Sequence, residues 1–349
     1  MKWLENLNNV MEAENHSKNR KKRHLFYLII IAVGLITSFG SCSEEETNGN
    51  NGNKEEKWLK RANYLGSAVS NAVAFSINGK VYVGMGYANS FQSDLWEYDP
   101  ATNKWTEKHY FPGDYLLSNK CFVADNKAYV IGYQYILWEY NPETDTWIEK
   151  STCPIPSGVS VSFIFGISNK CYIGTTRYYW GTWGSYTLNE GLYEYDLATD
   201  TWKECAVFSG NTISDQAIAS TEQNAYSIGG YSGGDHASSQ ANFYMYNPIT
   251  DRWAERVTFP VKTKQGIAFC KDGIIYAGLG KDYYASQFAA QSIWRNEDHN
   301  KIYKYDSENN RWILETEAPI KGEGKSAVIC NGKLYVGLGG SLDFWEYTF

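Results

Sequence analysis

The segment WEYDPATNKW, residues Trp96–Trp105, decides the fold because its pattern returns along the chain. In each copy a tyrosine lies two positions after an opening aromatic residue, and a tryptophan lies nine positions after it. Alternating aromatics are typical of β-strands, and the Asp- or Asn-led centre predicts a tight turn into the next strand. The further copies are Trp138–Trp147, Tyr193–Trp202, Tyr244–Trp253 and Tyr303–Trp312.

A second pattern precedes each copy and ends in a tyrosine, which is mostly followed within four residues by glycine. Together the two patterns define a unit of four short strands, whose first strand in the first unit is Ala72–Ile77. Repetition of one small unit predicts that neighbouring units share a continuous core. The second pattern occurs six times, at Tyr82, Tyr129, Tyr172, Tyr226, Tyr276 and Tyr335.

The last unit is incomplete, because the chain stops at Phe349, before the tryptophan expected nine residues after Trp345. Trp58 lies ahead of the first unit and has no other partner in the pattern. We therefore expect the strand that begins at Trp58 to complete the last unit and close the array, which removes the exposed sheet edges of an open one.

Glycine after an apolar strand, then tyrosine, then tryptophan at this spacing resembles the kelch repeat over Trp58–Phe349. The sequences of Trp96–Trp105 and Phe75–Gly84 resemble those of kelch lipoproteins of the Bacteroidota, which are often described as galactose oxidase-like or mutarotase-like. The resemblance implies an all-β fold, a six-bladed kelch β-propeller whose N-terminal strand closes the last blade.

Residues 1–41 are typical of an export signal, with the basic segment Lys18–His24 before the apolar run Leu25–Phe39. Gly40 and Ser41 before Cys42 resemble the lipobox of bacterial lipoproteins, although phenylalanine stands where leucine is usual. The resemblance implies that Cys42 is acylated and becomes the first residue of the mature protein. An uncleaved signal anchor is the alternative, and Met11 is an alternative start.

Residues 42–57 are expected to form a flexible tether, because their polar composition cannot bury enough apolar surface to fold. The acidic run Glu44–Glu46 resembles the surface-export signal of Bacteroidota lipoproteins. The expectation is an outer-membrane lipoprotein of the cell envelope, which contacts the membrane only through Cys42 and faces either the medium or the periplasm. The propeller would then span residues 58–349.

The charge distribution argues against a nucleic-acid partner. Residues 1–41 contain six Lys or Arg and three Glu, and the rest of the chain contains 26 basic and 36 acidic residues, a net charge of −10. Phosphate binding depends on clustered Lys and Arg, and no such cluster occurs after residue 41.

Loop lengths indicate where a ligand would bind. The distance from each closing tryptophan to the next repeat tyrosine stays between 23 and 25 residues, whereas the distance from that tyrosine to the next opening aromatic varies from 9 to 27. The variable segment is the loop between the second and third strands, and the third, fourth and fifth of these loops are the longest. Long variable loops on a repeated scaffold usually carry binding functions.

These three loops should emerge together at one end of the central channel. Aromatic rings beside charged groups suit a carbohydrate, since rings stack on the apolar face of a sugar and charged groups bind its hydroxyls or carboxylate. The alternative is that these aromatics pack on one another and seal the channel. The candidate ligand-binding residues are Arg177, Tyr179, Trp180, Trp183, Asp235, His236, Tyr284, Trp294 and Arg295.

The links between units place further polar residues near the channel, and Asp215 with Lys264 is a candidate acid–base pair. No metal or other cofactor is expected. The few acidic residues in the turns at Asp99 and its equivalents fit turn formation better than calcium. The three histidines after residue 41 and the six units do not match the copper site of galactose oxidase, and Cys153 with Cys205 is the one disulfide pair considered.

Three functions remain open at this point. The first is a non-catalytic binding module for a glycan or for an envelope or host protein, acting through the long loops of the third to fifth units. The second is a sugar mutarotase or epimerase that resembles the six-bladed kelch sialic acid mutarotases. The third is an envelope scaffold, which would show an exposed patch and no pocket.

Overall fold

The structure, a computed structural model, describes residues 57–181, 184–211, 214–232, 236–286 and 295–349. These residues belong to one compact unit, Glu56–Phe349. Its regular structure consists of β-strands and one 3-10 turn at Tyr133–Tyr135. None of the described segments is a helix of the length and apolarity needed to cross a membrane.

The first three units of the sequence each fold into one four-stranded antiparallel sheet, and we call these sheets blades 1 to 3. Within each sheet the strands follow one another in chain order, as the repeat pattern predicts. The strands are β2 (Val73–Ile77), β3 (Lys80–Gly84), β4 (Leu95–Asp99) and β5 (Lys104–Lys108) in blade 1; β6 (Phe122–Ala124), β7 (Lys127–Ile131), β8 (Ile136–Asn141) and β9 (Thr146–Thr152) in blade 2; and β10 (Val159–Ile167), β11 (Lys170–Gly181), β12 (Gly184–Asp196) and β13 (Thr201–Cys205) in blade 3.

Blades 4 to 6 repeat this arrangement, with two differences. Extra strands lie between the second and third strands of blades 4 and 5, and the outer strand of blade 6 comes from the N-terminal side of the chain. The strands are β14 (Ala217–Ser220), β15 (Ala225–Ile228), β18 (Phe243–Asn247) and β19 (Arg252–Glu255) in blade 4; β20 (Ile267–Lys271), β21 (Ile274–Gly278), β24 (Lys301–Asp306) and β25 (Arg311–Glu317) in blade 5; and β26 (Lys325–Cys330), β27 (Lys333–Leu338), β28 (Phe344–Tyr347) and β1 (Trp58–Lys60) in blade 6.

Strand β1 closes the array as the sequence predicts. It pairs with β28, and Trp58 lies opposite Tyr347. Beyond the ladder, the Arg61 Nε donates to the Glu346 carboxylate at 2.8 Å. The Trp58 indole donates to Thr316 at 3.0 Å, which extends the closure to the last strand of blade 5.

The hydrophobic core lies between the blades. Within the described residues there are six clusters, and each combines side chains from two neighbouring blades. One cluster joins Tyr98 of blade 1 to Tyr335 and Phe344 of blade 6, so the series returns to its start. Each of the six sheets therefore packs against two neighbours in a closed series.

The turn between the third and fourth strands links neighbouring blades. In blade 2, Asp145 has left-handed backbone (φ 54°) and accepts hydrogen bonds from the Tyr140 hydroxyl at 2.7 Å and the His109 amide at 3.0 Å. Since His109 follows the last strand of blade 1, one carboxylate ties the turn to its own blade and to the preceding one. Asn103, Asp200 and Asp251 repeat this arrangement.

The Asx residue that opens the same turn also has a structural role. Asp99 accepts a hydrogen bond from the Ala101 amide at 2.9 Å, which is the geometry of an Asx turn. Asn141, Asp196 and Asn247 do the same, which supports turn formation as their function.

The longest loops behave in two ways. In blade 3, β11 and β12 continue past the sheet as one long hairpin. In blades 4 and 5, the loops pair with each other and form a seventh four-stranded sheet, the accessory sheet. Its strands are β16 (Tyr231–Ser232), β17 (His236–Ser239), β22 (Lys281–Ser286) and β23 (Arg295–Asp298).

The two cysteines considered as a disulfide pair are free thiols. Cys153 is buried in the cluster between blades 2 and 3, whereas Cys205 packs against the cluster between blades 3 and 4. Each fills space in a different core, so no crosslink joins them.

Candidate functional site at the channel mouth

Four left-handed residues surround part of the channel mouth, and we call them the corner residues: Asn71, Asp215, Gln265 and Gly324. They lie in the links between blades, where the chain turns into the innermost strand. The Gln265 amide donates to the Asp215 carbonyl at 2.9 Å, the Gly324 amide to the Gln265 carbonyl at 3.3 Å, and the Asn71 amide to the Gly324 carbonyl at 2.9 Å. Left-handed backbone is uncommon in residues other than glycine, and such residues are enriched at functional sites.

A cavity of about 410 Å³ opens beside these corner residues, and we call it the mouth cavity. Its polar wall comes from the links between blades and includes Asn71, Asn119, Asp215 and Gln265. Its apolar rim comes from the blade 1 loop. The rings of the rim are Tyr87 and Phe91, which are 47% and 56% exposed.

Asp215 is the carboxylate of the mouth cavity. Burial raises its pKa, while a hydrogen bond from Gln265 Nε2 at 3.2 Å and the positive charge of Lys264 act in the opposite direction. Next to it, the buried Gln216 accepts a hydrogen bond from Ser162 at 3.2 Å. The Asp215 carboxyl group thus accepts a hydrogen bond from one amide side chain, and the Ser162–Gln216 pair lies on the same cavity wall.

Lys120 is the basic residue of the mouth cavity. It also lines the narrower cavity of about 130 Å³ deeper in the channel, so its side chain lies at the neck between the two. Burial lowers its pKa, and the charge of Asp215 partly opposes that shift. Burial also raises the pKa of the neighbouring Cys121 to about 12, which keeps this thiol protonated and unreactive.

The predicted acid–base pair of Asp215 and Lys264 is only partly realised. The two residues interact electrostatically, but the Lys264 ammonium forms an ion pair with Glu323 at 3.0 Å and lies 5.0 Å from the centre of the Tyr283 ring. Lys264 does not line the mouth cavity, whereas Lys120 does. The catalytic role of Asp215 with Lys264 stays a prediction, and the lysine that lines this cavity beside Asp215 is Lys120.

Two of the predicted ligand-binding residues lie on the blade 3 hairpin and contact the same carboxylate. The Arg177 Nε donates to Glu190 at 2.9 Å, and the Tyr179 hydroxyl donates to Glu190 at 3.3 Å. The Arg177 Nη1 donates to the Ser157 carbonyl at 3.1 Å. These contacts stabilise the hairpin, and neither predicted residue lines the mouth cavity.

Two further predicted residues belong to the accessory sheet. Tyr284 and Arg295 lie opposite each other on β22 and β23. The Arg295 guanidinium forms an ion pair at 3.2 Å with the buried Asp282, which also accepts a hydrogen bond from the Ser239 hydroxyl at 2.7 Å. The remaining candidates lie outside what the structure describes: Cys42, Trp183, Asp235, Trp294 and the side chains of Trp180 and His236.

Sequence reasoning missed most of the mouth cavity. Asn71, Asn119 and Lys120 lie in links of ordinary length, and Tyr87 and Phe91 lie in a loop that is not among the long ones. The available signal was the pair Asp215 and Gln216 in such a link. Across the described ranges, no group of three or more His, Cys, Asp or Glu side chains has the arrangement of a metal site.

Comparison with known proteins identifies the architecture. A Kelch motif model matches residues 68–108, which span blade 1. The structure of YjhT is similar with a TM-score of 0.62 and 14% sequence identity, over 81% of this chain and 95% of that chain. The fold is a β-propeller, and the Kelch motif match lies in its first blade. No curated protein matches the chain. At 14% identity, the similarity to YjhT establishes the fold alone.

Replacing Asp215 by asparagine should raise the thermal midpoint of the propeller at neutral pH. Burial raises the pKa of Asp215, so stability falls as the pH rises above the ordinary carboxyl pKa, and the full cost of ionising Asp215 is reached once the pH exceeds its folded-state pKa. Below the ordinary carboxyl pKa both states are protonated, and the difference from wild type should vanish. Thermal melts at neutral and acidic pH test this, with the exposed Asp114→Asn as control. A lower midpoint at neutral pH would contradict it.

Proposed function

We propose that this propeller is a cell-envelope binding protein, anchored through Cys42, that holds a small carbohydrate in the mouth cavity. The observation that supports the proposal is the mouth cavity itself, with two exposed rings on its rim and amide and carboxyl groups on its wall. Its volume of about 410 Å³ falls within the roughly 300–1,000 Å³ of small-molecule sites. Rings of this kind stack on the apolar face of a sugar, and the polar wall matches its hydroxyls.

A glycan array followed by calorimetry on the full chain tests this proposal. Phe91→Ala should weaken binding about 10-fold or more, because it removes one of the two aromatic rings of the rim. Tyr110→Ala is the matched control, since Tyr110 is 59% exposed and does not line the mouth cavity. Equal affinity in both variants, or no sugar bound at all, would contradict the proposal.

The same assay separates the mouth cavity from the long loops as the binding surface. A Trp180→Ala and Trp294→Ala double variant should keep its affinity if the mouth cavity holds the ligand. Loss of binding in this variant, with unfolding unchanged, would instead support the blade 3 to 5 loops as the contact surface. A protein partner becomes the better explanation if no glycan binds.

A second function, sugar mutarotation, is favoured by Asp215 and Lys120, which interact electrostatically. Both line the mouth cavity, and burial shifts the pKa of each towards its neutral form. A base that takes the anomeric hydroxyl proton and an acid that protonates the ring oxygen would break the bond between the anomeric carbon and the ring oxygen, which leaves an open-chain carbonyl, and reclosure on the other face of that carbonyl gives the other anomer. Anomer exchange followed by NMR with hexoses and sialic acid tests this, and Asp215→Asn should abolish any acceleration.

A further inference from the structure

A continuous row of four aromatic side chains leads away from the rim of the mouth cavity. The ring centres are 5.3 Å apart for Tyr87 and Phe91, 5.2 Å for Phe91 and Tyr115, and 5.0 Å for Tyr115 and Tyr133. We call these four residues the aromatic row. The first two line the mouth cavity, whereas the last two do not.

The backbone holds the aromatic row in place. Tyr87 exchanges two hydrogen bonds of 3.0 Å with Ser70, and the Tyr133 amide donates to the Tyr115 carbonyl at 2.9 Å. Three structural segments thus contribute to one row: the blade 1 loop, the link between blades 1 and 2, and the 3-10 turn of blade 2. Because the backbone of these segments is already ordered, less ordering is needed when a ligand binds.

The aromatic row is exposed in a way that the repeat aromatics are not. Tyr87, Phe91 and Tyr133 are 47%, 56% and 42% exposed, whereas the repeat tyrosines Tyr82 and Tyr98 are 3% and 0% exposed. The inter-blade core therefore does not need these three rings. A contiguous exposed apolar surface of this kind marks an interaction site.

The aromatic row suits a polar chain better than an apolar one. Three of its four members are tyrosines, so each combines a flat apolar face with a hydroxyl group at its tip. A chain of sugar rings has the matching alternation of apolar faces and hydroxyl edges. The aromatic row is also longer than the mouth cavity requires for a single sugar unit.

We infer that the ligand is the end of a linear oligosaccharide, with its terminal unit in the mouth cavity and the following units along the aromatic row. This inference rests on the proposed carbohydrate function and extends it from a monosaccharide to a chain. It assigns a role to Tyr115 and Tyr133, which the mouth cavity does not use.

The test measures how affinity depends on chain length. The probes are linear oligomers of glucose, mannose, galactose, xylose and N-acetylglucosamine, from one to five units, titrated into the full chain. For the series that binds, affinity should rise at least about 10-fold from monomer to tetramer, a gain of about 1.4 kcal/mol. Tyr133→Ala should remove most of that gain without changing monomer affinity, and Tyr133→Phe should retain it.

The outcomes separate this inference from the proposed function. Equal affinity for monomer and tetramer, with Tyr133→Ala indistinguishable from wild type, would overturn the extended site and leave monosaccharide binding intact. If no oligomer and no monomer binds, both proposals fail. A Tyr133→Ala variant that melts early and loses monomer affinity would overturn the inference, because the ring would then be structural. Tyr110→Ala is again the control for a lost exposed ring.

Discussion

Deleting residues 57–65 is expected to unfold the whole ring instead of a single blade. The deletion removes β1, exposes the edge of β28 and takes away the Arg61 contact of Glu346. It also removes Tyr64, which is 1% exposed and packs edge-on against Trp105 at 5.3 Å. Losing one buried aromatic side chain costs about 3–5 kcal/mol, and the total approaches the roughly 5–15 kcal/mol that stabilises a typical domain.

The matched control is a deletion of residues 46–54, which shortens the chain equally in the predicted tether. Circular dichroism and denaturant titration of both variants measure the difference. We expect a normal cooperative transition for the control and no cooperative transition for the 57–65 deletion. If the two transitions fall within a few degrees of each other, β1 is not required to hold the ring closed.

Closure was predictable because it depends on counting. The spacing of nine residues between the opening aromatic and the closing tryptophan leaves Trp345 without a partner and Trp58 without a unit. Antiparallel pairing then leaves one place for the first strand, and β1 occupies it beside β28. A repeated sequence pattern predicts the blades well because each blade packs against its neighbours through residues at equivalent positions.

The accessory sheet was not predictable in the same way. Its strands come from two loops that share no repeat pattern, and its register depends on contacts between residues far apart in the chain. Ser239 of blade 4 hydrogen-bonds to the buried Asp282 of blade 5, and only the folded ring brings the two loops together. Loop length indicated that these segments are unusual, but not that they pair.

The mouth cavity was missed for a related reason. Loop length directed attention to blades 3 to 5, whereas the mouth cavity is built from short links and from the blade 1 loop. Asn71 and Gln265 acquire their positions from left-handed backbone at equivalent points of different blades. Such a site is visible in the sequence only when the ring geometry is already known.

In several repeats a glutamate lies between the opening aromatic residue and the tyrosine that follows it two positions later. The strand assignment at these glutamates is correct, but it does not predict their burial. In an isolated sheet, a glutamate between two aromatics would face solvent. Here both faces of a blade pack against neighbours, so Glu139, Glu194 and Glu346 are buried. Each lies across the strand pair from a repeat tyrosine that donates a hydrogen bond to it; the tyrosines are Tyr129, Tyr172 and Tyr335.

Replacing Glu346 by alanine should therefore destabilise the propeller by about 3–5 kcal/mol, the usual cost of removing one partner of a buried ion pair. Its side chain is 3% exposed and accepts hydrogen bonds from Arg61, from Lys333 at 2.6 Å and from the Tyr335 hydroxyl at 2.8 Å. All three donors lose their acceptor in the variant. Denaturant titration measures the loss, and Glu317→Ala is the control, because Glu317 is 58% exposed in a comparable lysine pair and should cost about 0–1 kcal/mol.

The pH dependence of the Glu346→Ala effect separates lost charge from lost packing. Burial raises the pKa of Glu346, but the hydrogen bonds from Lys333, Tyr335 and Arg61 outweigh it and lower the pKa below the ordinary value of 4.5. A carboxyl group with a lowered folded-state pKa stabilises the fold above its unfolded pKa and loses that contribution as the pH falls through the folded pKa. The difference between wild type and Glu346→Ala should shrink in that acidic range. A difference that stays constant down to the acid transition would show that the side chain contributes through packing, because a cavity costs the same at every pH.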